Sequence, residues 1–236
     1  MIKKIFGNRK RVIITLSLVF LLLVTAGGTF AYLAATTKEE TNVFTGSDNI
    51  RARLTEPNWE KDEALRLVPG KTVRKDPMIT NTGQSDVYVA IQLTFQYEDG
   101  MIMSGTDLLR LIKLLDITWS DKWKTCSGSI LKDASGNITD ITQPLIFYYN
   151  EDLSPGEISD PIFSSIRVKD KVTDGTGAIT EEDLRWLQGI KIRNGAIVDD
   201  PDGLGGFHIQ VEGAAIQTIS VTDAADAANT LISLFP

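Results

Sequence analysis

The first 35 residues of this 236-residue chain predict that it is exported. Five basic residues lie between Lys3 and Arg11, and no charged side chain follows until Lys38. The stretch from Val12 to Val24 is mostly Leu, Ile and Val, and small residues follow it. These are the three parts of a secretory signal peptide, because the charges stay in the cytoplasm while the apolar helix enters the bilayer. Whatever fold forms must therefore form outside the cytoplasm.

We predict a signal peptide over residues 1–34, followed by a cut among small residues. The predicted cleavage region comprises Ala31, Tyr32, Leu33, Ala34 and Ala35. The alternative is an uncleaved membrane anchor, since the uncharged stretch reaches the roughly 20 residues that a span requires. Gly27 and Gly28 favour cleavage, because they weaken the helix where a span should continue. Signal peptidase is thus a predicted partner, and the chain is expected to contact the membrane only through its uncleaved leader.

The mature chain is strongly acidic. The leader contains five basic residues and no acidic one, so its removal changes the formal net charge from −7 to −12. Such a surface repels nucleic acid and anionic lipid, and we expect no nucleic-acid partner. It also favours solubility outside a cell.

The mature chain must build its core without disulfides. Cys126 is the only cysteine, so no intramolecular disulfide can form. Roughly 200 residues are enough for one β-sandwich without such links. Export without disulfides fits a bacterial cell surface, and Cys126 is interpreted as a small hydrophobe beside a strand, with pairing between chains as the alternative.

Alternating apolar residues and turn signals predict a mainly β fold. Ile50 to Leu54 alternates apolar and basic residues, as in a half-buried strand. Val87 to Tyr97 is a long strand rich in β-branched and aromatic residues, and residues 72–80 are predicted to pair with it as a hairpin across the turn at Asn81. The odd-numbered residues of the long strand form one apolar face, which should be core.

Three short helices are predicted among the strands. Thr106 or Asp107 can cap a helix that runs through Leu115, and Thr180 can cap one that ends near Leu187. Residues 223–232 contain good helix formers after an acidic start. We therefore predict an N-terminal arm over residues 35–49 and an antiparallel β-sandwich over residues 50–236, with inserts near 99–142 and 169–203.

The sequence offers no recognisable catalytic set, and we expect no enzyme activity, no cofactor and no metal site. His208 is the only histidine and alternates with apolar neighbours on a predicted strand, which favours a structural role. The acidic segments 170–175 and 199–203 lack the terminal bidentate Glu of a calcium loop and are interpreted as polar turns.

Several motifs occur in an order that resembles the TasA/camelysin family of Gram-positive bacteria. They are the leader end Gly27-Gly28-Thr29-Phe30-Ala31-Tyr32, the arm Val43-Phe44-Thr45-Gly46, the strand Ile50 to Leu54, the turn Leu67-Val68-Pro69-Gly70-Lys71 and the segment Ile79-Thr80-Asn81-Thr82-Gly83 before Val87-Tyr88-Val89. The resemblance covers residues 27 to 97 best.

The resemblance implies a jelly-roll sandwich that a dedicated signal peptidase releases and, in TasA-like members, a subunit of biofilm-matrix fibres. In those fibres the arm of one subunit inserts as a strand into its neighbour, which makes a head-to-tail homopolymer. The matching segment here is about Ala35 to Asp48, with Val43 and Phe44 as the donor-strand anchors. The residues agree, because a polar arm with two bulky apolar residues can complete an open sheet edge.

The leading hypothesis is therefore a secreted structural subunit of a Gram-positive cell surface or extracellular matrix, with itself and other matrix proteins as partners. The alternative is a surface adhesin or ligand-binding module that does not polymerise, and whose arm is disordered or folded back on its own sheet. Camelysin-like members have been classed as metallopeptidases. A chain with one histidine lacks a zinc-peptidase ligand pattern, so we do not extend that activity to it.

Overall fold

Twelve β-strands and three α-helices make up the part of the chain that the computed structural model describes, which is residues 43–47, 50–60, 69–136, 138–169 and 179–235. The strands are β1 (Val43–Ser47), β2 (Ile50–Thr55), β3 (Thr72–Arg74), β4 (Met78–Asn81), β5 (Val87–Tyr97), β6 (Leu115–Trp119), β7 (Trp123–Lys132), β8 (Ile138–Tyr149), β9 (Phe163–Val168), β10 (Ile190–Arg193), β11 (Ala196–Asp199) and β12 (Phe207–Gln217). The helices are α1 (Gly105–Leu114), α2 (Glu181–Leu187) and α3 (Ala224–Ile232). The predicted signal peptide and its cleavage region lie outside the described residues.

The strands form four antiparallel sheets. The largest has the order β12-β5-β8-β7, two sheets of three strands have the orders β3-β9-β6 and β1-β2-β4, and β10 and β11 form a hairpin. This confirms the prediction of a mainly β, antiparallel fold.

One contiguous core joins the four-stranded sheet to both three-stranded sheets and to α1, in a sandwich-like arrangement. The predicted apolar face of β5 is part of it, since Val87, Val89, Ile91, Leu93 and Phe95 are all fully buried. Tyr97, at the end of the same face, is only half-buried. Its hydroxyl donates a hydrogen bond to Asp107 of α1 (2.6 Å) and so ties the strand to the helix.

The opposite face of the four-stranded sheet is also covered, by α3. Ala90 of β5, Ile146 of β8 and Ala214 of β12 are buried together with Ala227 and Leu231 of the helix. Small side chains on the sheet let the helix approach closely. The sequence correctly predicts the helix, but the period-two pattern of β5 does not show that both faces are buried.

The predicted hairpin between residues 72–80 and β5 is wrong. β3 pairs with β9 and β4 pairs with β2, whereas β5 pairs with β12 and β8. The turn after β4 thus crosses from one layer to another. The buried side chain of Asn81 holds this crossing, because its amide donates to Ser85 O and Leu153 O (2.8 Å each) and its carbonyl oxygen accepts from Gly83 N (2.9 Å).

Each helix begins after a residue whose side chain caps its first turn. The N-cap of α1 is Ser104, whose hydroxyl accepts from Asp107 N (3.2 Å), and not Thr106 or Asp107 as the sequence suggests. Thr180 and Asp183 form the predicted capping box at the start of α2. Arg110 of α1 lies 2.7 Å from the Asp183 carboxylate and joins the two helices.

Among the described residues, no helix combines the length and the apolar composition needed to cross a bilayer.

We predict that Asn81→Ala destabilises the protein by about 2–4 kcal/mol, because the carbonyls of Ser85 and Leu153 lose their amide donor inside the protein. The free energy of unfolding in urea measures this. Gln84→Ala, at an exposed position of the same turn, should change it by less than about 0.5 kcal/mol. Equal effects of the two substitutions would contradict the role given to Asn81.

Candidate functional site

A groove of about 830 Å³ lies between the outer strands of two different sheets. One wall is β6, the last strand of the β3-β9-β6 sheet, and the other is the β7–β8 hairpin, with β7 the last strand of the four-stranded sheet. Within the described part of the chain, β6 and β7 each pair with a single strand. Each outer strand therefore has a second edge that no described strand occupies, and such an edge can accept a further strand.

The floor of the groove is aromatic and apolar. The ring of Trp119 stacks on Phe147 with their centroids 5.3 Å apart, and it meets Phe163 edge-on at 5.5 Å. Phe147 and Phe163 are buried, whereas Trp119 is half-buried and lines the groove. Trp119 and Phe147 line the groove, and Phe163 supports the Trp119 ring from outside the lining. The exposed part of Trp119 is therefore the aromatic surface open to whatever enters, and burial of such surface is the main source of affinity in such grooves.

The end of the hairpin carries further apolar side chains across the groove from β6. Ile130 of β7 and Ile138 of β8 line the groove with Ile117 of β6, and all three are half-buried. At the base of the hairpin, the indole N–H of Trp123 donates to Asp160 O (2.8 Å), which fixes that side chain at the floor.

Basic side chains lie at the rim. Lys113, Lys132 and Lys169 line the groove together with Asp116 and Asp133. The Lys169 amine donates to Lys113 O (2.7 Å) and lies 3.6 Å from the Asp116 carboxylate. The rim therefore has a small excess of positive charge in a protein that is acidic as a whole.

Irregular pairing bends the hairpin that forms one wall. The register between β7 and β8 shifts at three places, between Thr125 and Ser127, between Ser127 and Ser129, and near Lys132. Gly128 lies in this region with φ of +73°, and a Cβ there would lie 2.6 Å from Thr142 O and closer still to Pro144 O. Only glycine fits where the two strands approach so closely, so the bend of the hairpin depends on Gly128.

The predicted donor-strand anchors do not lie in the groove. Val43 and Phe44 belong to β1, which pairs with β2 of its own chain, Val43 opposite Arg53 and Phe44 opposite Ala52. β1 is an outer strand of the β1-β2-β4 sheet, and this pairing is interrupted between Thr45 and Ser47.

The other residues that the sequence singles out lie apart from the groove. His208 is half-buried on β12, opposite Gln96 of β5. Asp200 accepts a hydrogen bond from the Lys191 amine (2.8 Å), which lowers the pKa of that carboxyl group, and it also accepts from Asp202 N (3.3 Å). Residues 170–175 lie outside the described residues. In the described part of the chain, no three His, Cys, Asp or Glu side chains are grouped so that they could hold a metal ion.

Cys126 packs as a small apolar residue on β7, as predicted. It is half-buried against the cluster of Ala90, Ile146 and Ala214, and its thiol donates to Ile146 O (3.3 Å). Burial raises the pKa of Cys126 to about 11. The thiol is therefore protonated, and so poorly nucleophilic, at neutral pH.

Sequence reasoning missed the groove because its walls, β6 and the β7–β8 hairpin, are close along the chain but belong to two different sheets, and the sequence does not show which strands pair. Most of the lining residues lie between Ile112 and Thr139, in the region that the sequence marks only as an insert. The signal that could have found them is the pair Trp119 and Trp123, two large aromatic side chains at the ends of short strands.

Comparisons of this chain with protein-family models, with curated proteins and with solved structures found no match.

We predict that Gly128→Ala destabilises the protein by about 2–5 kcal/mol, since a Cβ meets two backbone oxygens in addition to the strain of positive φ. Gly136→Ala is the matched control, because Gly136 has φ of +83° but open space around it, and it should cost only about 1–2 kcal/mol. Chemical denaturation of both variants tests this. A Gly128→Ala protein as stable as Gly136→Ala would contradict the close packing of β7 on β8.

We also predict that a thiol-alkylating reagent modifies Cys126 slowly at pH 8. With the thiol pKa raised from 9.0 to about 11, the thiolate fraction of the folded protein is roughly a hundredfold below that of an unperturbed thiol. The rate should increase about tenfold per pH unit between pH 8 and 10. Denaturation in urea should remove the difference, whereas equally fast labelling of folded and unfolded protein would show that the thiol is not buried.

Proposed function

We propose that this chain is a secreted structural subunit of fibres on a bacterial surface or in an extracellular matrix, built on a jelly-roll-type sandwich. In this proposal the N-terminal arm of one copy enters, as an extra strand, the groove between β6 and β7 of the next copy. The observation that supports it most is an apolar, aromatic-floored groove flanked by two sheet edges with no described partner.

A strand in this groove can pair its backbone and bury its apolar side chains at the same time. Its backbone hydrogen-bonds to the edge of β6 or β7, and every second side chain points down to the floor around Trp119. Phe44 would face the floor with Asn42 and Gly46, while Val43 and Thr45 would lie on the opposite face, so Phe44 is the anchor that enters the floor. Glu39 and Glu40 of the arm complement the lysines at the rim, which favours one register and one orientation.

Detaching β1 from its own chain costs little. It has five residues, it pairs only with β2 among the described strands, and the register is interrupted within it. The exchange replaces one set of strand hydrogen bonds by another, so the net change comes mainly from burying apolar side chains in the groove. Because donor and acceptor are different surfaces, addition continues head to tail into a filament.

We predict that Phe44→Asp in the processed protein abolishes fibres seen by electron microscopy, because a carboxylate cannot enter an apolar floor without a cost of several kcal/mol. The matched control is Thr45→Asp, which places the same charge on the opposite face of the strand and should leave the fibres intact. Deleting residues 36–44 should also abolish them. Undiminished fibres from the deletion variant would reject the arm as the donor.

A mixing experiment locates the acceptor. A chain without residues 36–44 keeps its groove, and an Ile130→Asp chain keeps its arm, so neither should polymerise alone. Mixed, they should form a one-to-one dimer and nothing longer, as measured by light scattering. If Ile130→Asp alone still forms fibres, the arm docks elsewhere, and exchange onto β2 of the neighbour becomes the explanation.

A second candidate function is a surface adhesin or ligand-binding module that does not polymerise. The pairing of β1 with β2 of its own chain favours it, because an arm that stays there has no free strand to donate. This alternative predicts a monomer at all concentrations after processing. Light scattering over time and concentration separates the two proposals.

A further inference from the structure

A buried lysine and a carboxylate meet where two sheets adjoin. Lys75 follows β3 and Glu56 follows β2, which belong to different three-stranded sheets. The amine of Lys75 lies 2.7 Å from each carboxylate oxygen of Glu56 and 4.3 Å from the ring centre of Trp59. We call these three residues the Lys75 cluster.

The cluster is shielded from water. The side chain of Lys75 is only 2% exposed and that of Glu56 is 17% exposed. In the other Lys–carboxylate pairs of the described residues, those of Lys122, Lys169 and Lys191, the lysine side chain is 34–43% exposed. A buried ion pair of this kind contributes little to stability, because desolvation of both charges offsets their attraction.

A second buried carboxylate lies beside the cluster. Asp76 is 4% exposed, and its two oxygens accept hydrogen bonds from the backbone N–H (2.9 Å) and the side-chain amide (2.7 Å) of Asn58. These contacts hold the segment that contains Glu56 and Trp59 against the segment that contains Lys75. The Lys75 amine and the Glu56 carboxylate are thereby kept next to each other.

We propose that Lys75 and Glu56 condense to an isopeptide bond that joins β2 to β3 covalently. Two equal contacts of 2.7 Å place the carboxyl carbon of Glu56, which lies between its oxygens, within the roughly 3–3.5 Å of the amine nitrogen that precedes bond formation. The torsion that orients a Glu carboxyl group is broad, so the group can turn its face toward the amine.

The reaction needs no other reactant. The ammonium of Lys75 first passes a proton to the carboxylate of Glu56, which gives a neutral amine and a neutral acid. The nitrogen lone pair then attacks Cδ, and the C=O electron pair moves to oxygen. A second proton of the nitrogen transfers to the hydroxyl group, which leaves as water while the C=O re-forms. One C–N bond forms, one C–O bond breaks, and the protein loses one water.

The environment favours this reaction over a stable ion pair. Burial lowers the pKa of the Lys75 amine, although the neighbouring Glu56 and Asp76 carboxylates act in the opposite direction. Condensation removes both charges from a site that is largely shielded from water. The product is a neutral amide in a chain that has no disulfide available to link its sheets. This inference does not depend on the proposed fibre function.

Peptide mapping by mass spectrometry of the purified full chain tests the proposal. Trypsin cannot cleave after an acylated lysine, so we expect a branched peptide in which the segment from Leu54 to Lys61 is joined to the segment that contains Lys75, lighter than their sum by one water. The exposed pair of Lys122 and Glu151 serves as an internal control and should yield unlinked peptides.

A matched variant separates the amide from the ion pair. Lys75→Arg keeps the positive charge but removes the nucleophilic amine, and its mass should equal that calculated from the sequence. If this variant does not fold, the map of the unaltered chain still decides. Separate, unmodified peptides for Glu56 and Lys75, or a link between other residues, would overturn the proposal.

Discussion

The whole structure depends on one strand that is buried on both faces. β5 pairs with β12 along its full eleven residues and with β8 along four, so it is the centre of the largest sheet. Its odd-numbered residues enter the main core and Ala90 lies under α3. In a chain with one cysteine, hydrophobic burial on two faces replaces the links that disulfides would give. The elements around it are positioned by the face of the β5 sheet that they cover.

That arrangement also explains why the groove exists. The four-stranded sheet extends past β8 to β7, while the opposing sheet ends at β6, and the bent β7–β8 hairpin stands away from β6. Trp119 and the isoleucines Ile117, Ile130 and Ile138 are only half-buried, which leaves apolar surface and sheet edges in one place. Natural proteins usually block such edges, so an edge beside an apolar floor is a feature that function can explain.

The sheet that contains the arm strand has only three strands, and these strands are held unequally. β1 depends on β2 alone among the described strands, whereas β2 is joined to β4 and, through the Lys75 cluster, to the end of β3. In the proposed strand exchange, this difference would let β1 leave while β2 and the rest of the body keep their places.

Local patterns in the sequence determined most individual elements. The alternation in Ile50 to Leu54 and in β5, the capping box at Thr180 and the acidic start of α3 are each set by neighbours within a few residues, and each was predictable. Only the tertiary structure decided which strands pair. The turn at Asn81 is compatible with a hairpin, but buried contacts to Leu153 direct β4 and β5 into different sheets. The groove and the Lys75 cluster likewise form where segments of different sheets meet, and no local periodicity encodes such contacts.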